Sequence, residues 1–220
     1  MTMATATPAS LDMRGKTITT YIAYGAAQEL AELAEGDTLE LLTETGDAID
    51  NDIRAWCHAT GQQVTVHDRT SAQSRYVITK GTTAPSGRRL AAVISDPGLE
   101  ELLSPLGFAL AAALEGIEVS LYFQGPAVRV LAKGFTEKLR GWARPFSRFA
   151  RGGLTKAGHV PAQEKIRQLQ TLGAHLYVCG PSMQHFHVAA ADIAFGDVTV
   201  AEYLTFTEAM ANADIHLFVQ

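Results

Sequence analysis

The chain reads as an α/β protein in two parts, a small βαβαββ two-layer sandwich followed by an α/β domain with a mainly parallel sheet and helices on both faces. Three observations carry that reading. Apolar residues over 11–80 alternate with period two in some runs and recur at helical spacing in others, in the order strand, helix, strand, helix, strand, strand. The stretch KGTTAPSGR at 80–88 has the Gly, Pro, Ser and Thr content of a connector. Beyond it, short apolar runs alternate with helical ones, as parallel strands joined by crossover helices require. The expected boundaries are a disordered Thr/Ala-rich tail at 1–10, a first domain at 11–80, a linker at 81–88 and a second domain at 89–220 with a basic loop at 133–158.

In the first part, 11–14 is a short strand, 25–33 a helix with Leu30 and Leu33 on one face, and Glu35-Gly36-Asp37 a turn. Residues 38–43 alternate as a strand. Residues 47–60 form a second helix, with Asp47 available as its cap, Ile49, Ile53 and Trp56 at helical spacing and Gly61 as its stop. Strands at 63–67 and 75–79 follow across a polar turn. In the second part, 90–95 is an apolar strand, Asp96-Pro97 has the form of an N-cap and first-turn proline, and 99–115 is a long apolar helix ended by Gly116. A strand at 119–123, the start of a helix at 128–132, a helix at 163–172 and a strand at 176–179 come next. Strands at 199–201 and 215–219 flank a last helix at 203–211.

A chain of 220 residues with 47% hydrophobic and 19% charged residues supports a packed core. Its formal charge of -5 is uneven: 11–80 carries eleven acids against six bases, whereas 81–220 carries twelve of each. The acidic first part argues against nucleic acid as a partner. No run of eighteen apolar residues spans a membrane, and 1–10 lacks the basic and apolar regions of a signal peptide. Cys57 and Cys179 form neither a disulfide framework nor a CxxC clamp, which points to a reducing compartment, the cytoplasm.

Residues 133–156 depart from the alternating pattern. They hold seven bases against one acid, Glu137, with Phe135, Trp142, Phe146 and Phe149 interleaved. Gly141, Pro145 and the Gly152-Gly153 pair are expected to interrupt any long helix. A solvated or subunit-covered loop is one reading; a peripheral membrane or partner contact is the other.

The chemistry centres on HLYVCGPSMQHFHV at 175–188. An apolar strand there hands over to a helix through a Gly-Pro turn, and Cys179 sits at the junction where open α/β sheets carry their sites. A helix N-terminus favours a thiolate over a thiol and would equally stabilise an anionic persulfide. Cys179 is therefore the candidate reactive residue, set against the reading of a small buried strand end. Gly180, Ser182, Met183 and His185 follow it closely, and Ser95 and Asp96, at the end of the domain's first strand, are candidates to border the same cleft. Cys57 lies within a helix beside Trp56 and His58, where core packing is expected. His185 and His187 are two apart and share no helix face, so no metal site is expected.

Two resemblances follow from these residues. LDMRG at 11–15, LAEGDTLELL at 33–42, DIRAWCHATGQQV at 52–64 and YVITKG at 76–81 resemble a TusA (SirA-like) sulfur-carrier domain and fall in that family's order. The family's Cys-Pro dipeptide after the Arg-Gly is missing; the segment reads KTITTYIAYG. The resemblance therefore implies a degenerate carrier kept for docking or assembly, with Cys57 matching a secondary cysteine. The second resemblance covers 88–220. LAAVISDPGLEELLSPLGFALAAALEGIEVSLYFQG, the basic insert and HLYVCGPSMQ resemble the DsrE/DsrF family, in particular its longer subgroup often labelled peroxiredoxin-like.

This second resemblance implies that Cys179 accepts sulfane sulfur from a donor persulfide and passes it to an acceptor thiol, with no metal or organic cofactor. It also implies rhodanese-like or TusA-like proteins as donor and acceptor, and homo-oligomers, trimers or larger. The chain departs from the subgroup's Ser-Met-Asp, reading Ser182-Met183-Gln184. A non-catalytic scaffold is the alternative. YVCGPSM also matches the CGP motif of ferredoxin-reductase-like flavoenzymes, but those require a β-barrel flavin domain for which 11–80 is too short and too helical. Ser95-Asp96-Pro97-Gly98 offers one glycine where a pyrophosphate turn needs several.

Overall fold

A computed structural model describes residues 9–82 and 86–219. Most of the expected tail, 1–8, and residues 83–85 of the expected linker lie outside the described residues, whereas Ala9 and Ser10 belong to the first strand. The chain divides into two compact units, residues 1–84 with 114–116 and residues 85–113 with 117–220.

The first unit runs β1 (Ala9–Asp12), α1 (Thr19–Ala31), β2 (Thr38–Thr43), α2 (Asp47–Ala59), β3 (Gln63–Arg69) and β4 (Ser74–Thr79). Its sheet has the order β1-β2-β4-β3, with β1 parallel to β2 and the other pairs antiparallel. Strand alternation buries Leu39 and Leu41 of β2 and Tyr76 and Ile78 of β4, which share the core with Ile22, Ala26 and Leu30 of α1 and Ile49, Ile53 and Trp56 of α2. Helix α1 starts six residues before the expected 25. Its opening TTYIAY is β-branched and aromatic, yet Ile22, Ala26 and Leu30 recur every four residues, and burial of that stripe overrides weak helix propensity. Asp47 opens α2 but does not cap it; Gly46 is at the cap and Asp47 pairs with Arg69 at 2.7 Å.

Helix α2 also delivers Asp50, buried at 7% exposure, into a polar cluster. It accepts hydrogen bonds from the Tyr76 and Ser74 hydroxyls and pairs with Arg69 at 3.0 Å. His67 Nε2 stands 3.3 Å away, and its ring stacks on Tyr76 with centroids 4.6 Å apart. Burial alone would raise the Asp50 carboxyl, but the Tyr76 hydroxyl, the His67 ring, Arg69 and Ser74 together hold it below the usual carboxylate value.

The second unit runs β5 (Arg89–Ile94), α3 (Leu99–Leu114), β6 (Glu118–Phe123), 3-10 helices at Gly125–Leu131 and Gly141–Phe146, α4 (Ser147–Lys156), α5 (Ala162–Thr171), β7 (His175–Cys179), α6 (Gly180–His185), β8 (Val198–Ala201), α7 (Tyr203–Ala211) and β9 (Ile215–Val219). The sheet order is β8-β7-β6-β5-β9, and the mainly parallel sheet expected is parallel at every described pair. The chain walks outward from β5 to β8, then returns to place β9 on the other side of β5. Right-handed crossovers put the helices of the outward walk on one face and α7 on the other. Tyr122 of β6 and Tyr177 of β7 pair in register, and both rings meet Phe206 of α7, at 4.8 and 5.4 Å between centroids. Leu121, Phe123, Leu176 and Val178 alternate to the opposite face and are buried there. Burial on both sides explains why β5 reads as a continuous apolar run from Leu90 to Ile94.

Two expectations fail locally. The helix expected from 128–132 is a 3-10 helix at Gly125–Leu131 opened by Pro126, and the loop expected to be broken at Gly152-Gly153 is helical straight through that pair. No described helix is long and apolar enough to cross a membrane.

Candidate functional site

Cys179 ends β7 and opens α6, and it is 4% exposed. Helix α6 has only six residues, so the dipole expected behind the thiol is that of a single turn or so. His187 lies beyond the helix with a φ of 54°, off the face that carries His185. The thiol lines a cleft of about 260 Å³ with Pro181, Ser182, His185, Phe186, Glu202 and Tyr203. The α6 side of that cleft is tied to the end of β6, because the Gly125 N–H donates to Ser182 Oγ at 2.9 Å.

The residues expected around Cys179 separate into three groups. Ser182 and His185 share its cleft. Gly180 adjoins it through the backbone without needing a left-handed φ, and Met183 is buried at 7% exposure rather than lining the opening. Ser95 and Asp96 do not border it. Ser95 accepts a hydrogen bond from Gln124 at 3.0 Å and lines a neighbouring cleft of about 290 Å³ with Tyr122, Tyr203, Phe206 and Phe218. Asp96 accepts the Gly98 N–H at 2.7 Å and pairs with Arg140 at 3.1 Å, so it organises the entry to α3. Strands β5 and β7 are separated by β6, and that spacing keeps the two groups apart.

The residue with the closest chemical relation to Cys179 is Tyr122. Its ring is buried at 1% exposure, and among the described residues its hydroxyl has no well-formed hydrogen bond. Burial first, and then its interaction with the Cys179 thiol, push the phenol above its ordinary pKa, so it remains a neutral O–H donor at physiological pH. Alternation along β7 sets Tyr177 and Cys179 on one face, but only the register of β6 against β7 brings Tyr122 there. Glu202 and Tyr203, at the start of α7, reach the cleft from a distant part of the chain.

Cys57 contrasts with this. It is 2% exposed inside α2, and burial pushes its thiol up to about 12. No group of three His, Cys, Asp or Glu able to hold a metal occurs among the described residues. The described part of the first unit is a four-stranded sheet with two helices, not the barrel that a ferredoxin-reductase-like reading needs.

A family model for the DsrE/DsrF-like family matches residues 88–219, the span that carries this sheet and cleft. The chain belongs to the DsrE/DsrF-like family. Among solved structures it is similar to the YchN protein from E. coli, with 14% identity and a TM-score of 0.45 over 60% of this chain and 98% of that one. No curated protein matches the sequence. The DsrE/DsrF-like span contains Cys179, Tyr122 and the whole basic insert, while the sheet β1–β4 and helices α1 and α2 lie outside it.

Proposed function

We propose that the protein is a sulfur-relay carrier that takes sulfane sulfur onto Cys179 and yields it to a partner thiol. The observation that carries this reading is a strand-end thiol on an open cleft, backed by a buried tyrosine hydroxyl, in a family associated with sulfur relay. The Cys179 thiolate attacks the terminal sulfur of a donor R–S–SH. The donor S–S bond breaks, its electron pair leaves on R–S⁻, and a new S–S bond forms on Cys179, giving Cys–S–SH with no net change of oxidation state. Attack by an acceptor thiolate on the outer sulfur reverses these roles. The Tyr122 O–H donates to Cys179 Sγ while it carries negative charge, and so acts as a positioning residue.

The first unit, with its βαβαββ order, is a degenerate TusA-like domain that serves docking or assembly. It lacks a thiol at the Arg-Gly segment, and Cys57 is sealed in the core. One usable cysteine means that sulfur must cross between molecules, from rhodanese-like or TusA-like donors to acceptors of the same kind, within a homo-oligomer of a reducing cytoplasm.

Incubation with a persulfide donor followed by intact-mass measurement tests the carrier role. The expected result is an adduct of one sulfur atom, removed by reductant and missing from Cys179→Ser. An adduct on Cys57 alone, or none on a folded protein, leaves the scaffold reading.

A further inference from the structure

The sulfur chemistry leaves the basic insert without a role. Residues 138–163 contain six bases, Lys138, Arg140, Arg144, Arg148, Arg151 and Lys156, and no acid. One side of the insert is anchored. The Lys138 carbonyl accepts the Leu99 N–H at 2.9 Å, Arg140 pairs with Asp96 and Glu101 at 3.1 and 3.0 Å, and the buried Ser147 hydroxyl accepts the Leu139 N–H at 3.0 Å. Helix α4 turns Ser147, Ala150, Arg151 and Leu154 inward at i, i+3, i+4 and i+7 and leaves Arg148, Phe149 and Lys156 outward. Trp142, Phe149 and Phe146 are 87%, 80% and 55% exposed. Of the six bases, only Arg140 has a carboxylate within ion-pair distance among the described residues.

A rigidly anchored shelf that projects three aromatic rings among unpaired cations has the composition of an interfacial membrane contact. We propose that this face docks on the surface of an anionic lipid bilayer, with Trp142, Phe146 and Phe149 entering the headgroup layer and Arg144, Arg148 and Lys156 meeting its phosphates. A second copy fits worse, because a two-fold contact through this face sets like charges together. Three aromatic side chains also offer roughly 450–750 Å², short of the roughly 800 Å² per partner of a standard interface. A nucleic acid strand fits worse as well. Trp142 and Phe146 meet edge to face, 75° apart, and so do not form a parallel platform for successive bases.

Trp142 is one of two tryptophans, and the other, Trp56, is buried, so fluorescence reports on this face in the full-length protein. Titration with phosphatidylglycerol-containing vesicles is expected to shift Trp142 emission to the blue, with affinity about tenfold or more above that for phosphatidylcholine vesicles. That affinity is expected to fall about tenfold as salt rises from about 50 to about 300 mM. Arg144→Glu with Arg148→Glu should abolish vesicle co-sedimentation, and Phe146→Ser with Phe149→Ser should weaken it about tenfold; all four positions are exposed, and an unchanged circular dichroism spectrum verifies the fold. Absent or salt-independent vesicle binding overturns the proposal. So does capture by a single-stranded oligonucleotide without vesicle binding, or self-association that the aromatic variant removes.

Discussion

Both cysteines are withdrawn from solvent, Cys57 at 2% exposure and Cys179 at 4%, but they face different surroundings. Cys57 lies on the inner side of a thirteen-residue helix, where burial pushes its thiol up to about 12. Cys179 ends a strand, one wall of its site opens into a cleft, and behind it stands a tyrosine hydroxyl with an unfilled hydrogen bond. On the proposed function, exposure alone therefore does not separate a structural thiol from a reactive one. The separation comes from whether a reactant can approach the sulfur.

The largest expected effect breaks this comparison outright if it fails. Cys179→Ser should lose the entire sulfur adduct, while Cys57→Ser keeps it; with iodoacetamide at pH 8, Cys179 should label in the folded protein and Cys57 only after unfolding. The next separates the two units. Asp50→Asn should cost about 2 kcal/mol of first-unit stability in denaturant melts, because a buried carboxylate held by several donors is replaced by a neutral amide. Since the Asp50 carboxyl lies below its ordinary value of about 3.9 when folded, its stabilisation is complete above that pH. It is lost as pH falls through the lower folded value, and the variant should flatten that acid limb while sulfur loading of Cys179 is unchanged.

Tyr122→Phe sharpens the comparison on the Cys179 side. Loss of the hydroxyl proposed to donate to the charged sulfur should slow adduct formation about tenfold, read as the rate of persulfide loading on a protein whose circular dichroism is unchanged. A merely structural role for the hydroxyl would leave that rate in place. The smallest effect lies far from either thiol. A Cβ at Gly152 or Gly153 meets nothing within 4 Å, so alanine at either position should stabilise α4 by about 0.5–1 kcal/mol, read as a small rise in the thermal midpoint with loading unaltered.

Much of the fold was legible because its signals are local. Strand β2 at 38–43, the α2 stripe of Ile49, Ile53 and Trp56, and the helix α7 at 203–211 all follow from period two or from helical spacing. The failures came where tertiary burial outweighed propensity. TTYIAY became helix because its apolar face is covered, and the glycine pair of α4 was tolerated because each glycine costs only about 1 kcal/mol against the rest of an anchored helix. Ser95 and Asp96 follow the end of β5 at Ile94, and they belong to other clefts and contacts.

The sequence by itself determined which thiol ends a strand, because an apolar run followed by a Gly-Pro turn is a signal contained within a few residues. The tertiary structure alone decided what surrounds that thiol. Tyr122 reaches it through the register of two parallel strands separated by more than fifty residues, and Glu202 and Tyr203 reach it because the last crossover helix returns over the opposite face of the sheet. Side-chain alternation states which residues share a face of one strand, but not how far that strand slides against its neighbour. Packing sets that offset, and the offset sets the site.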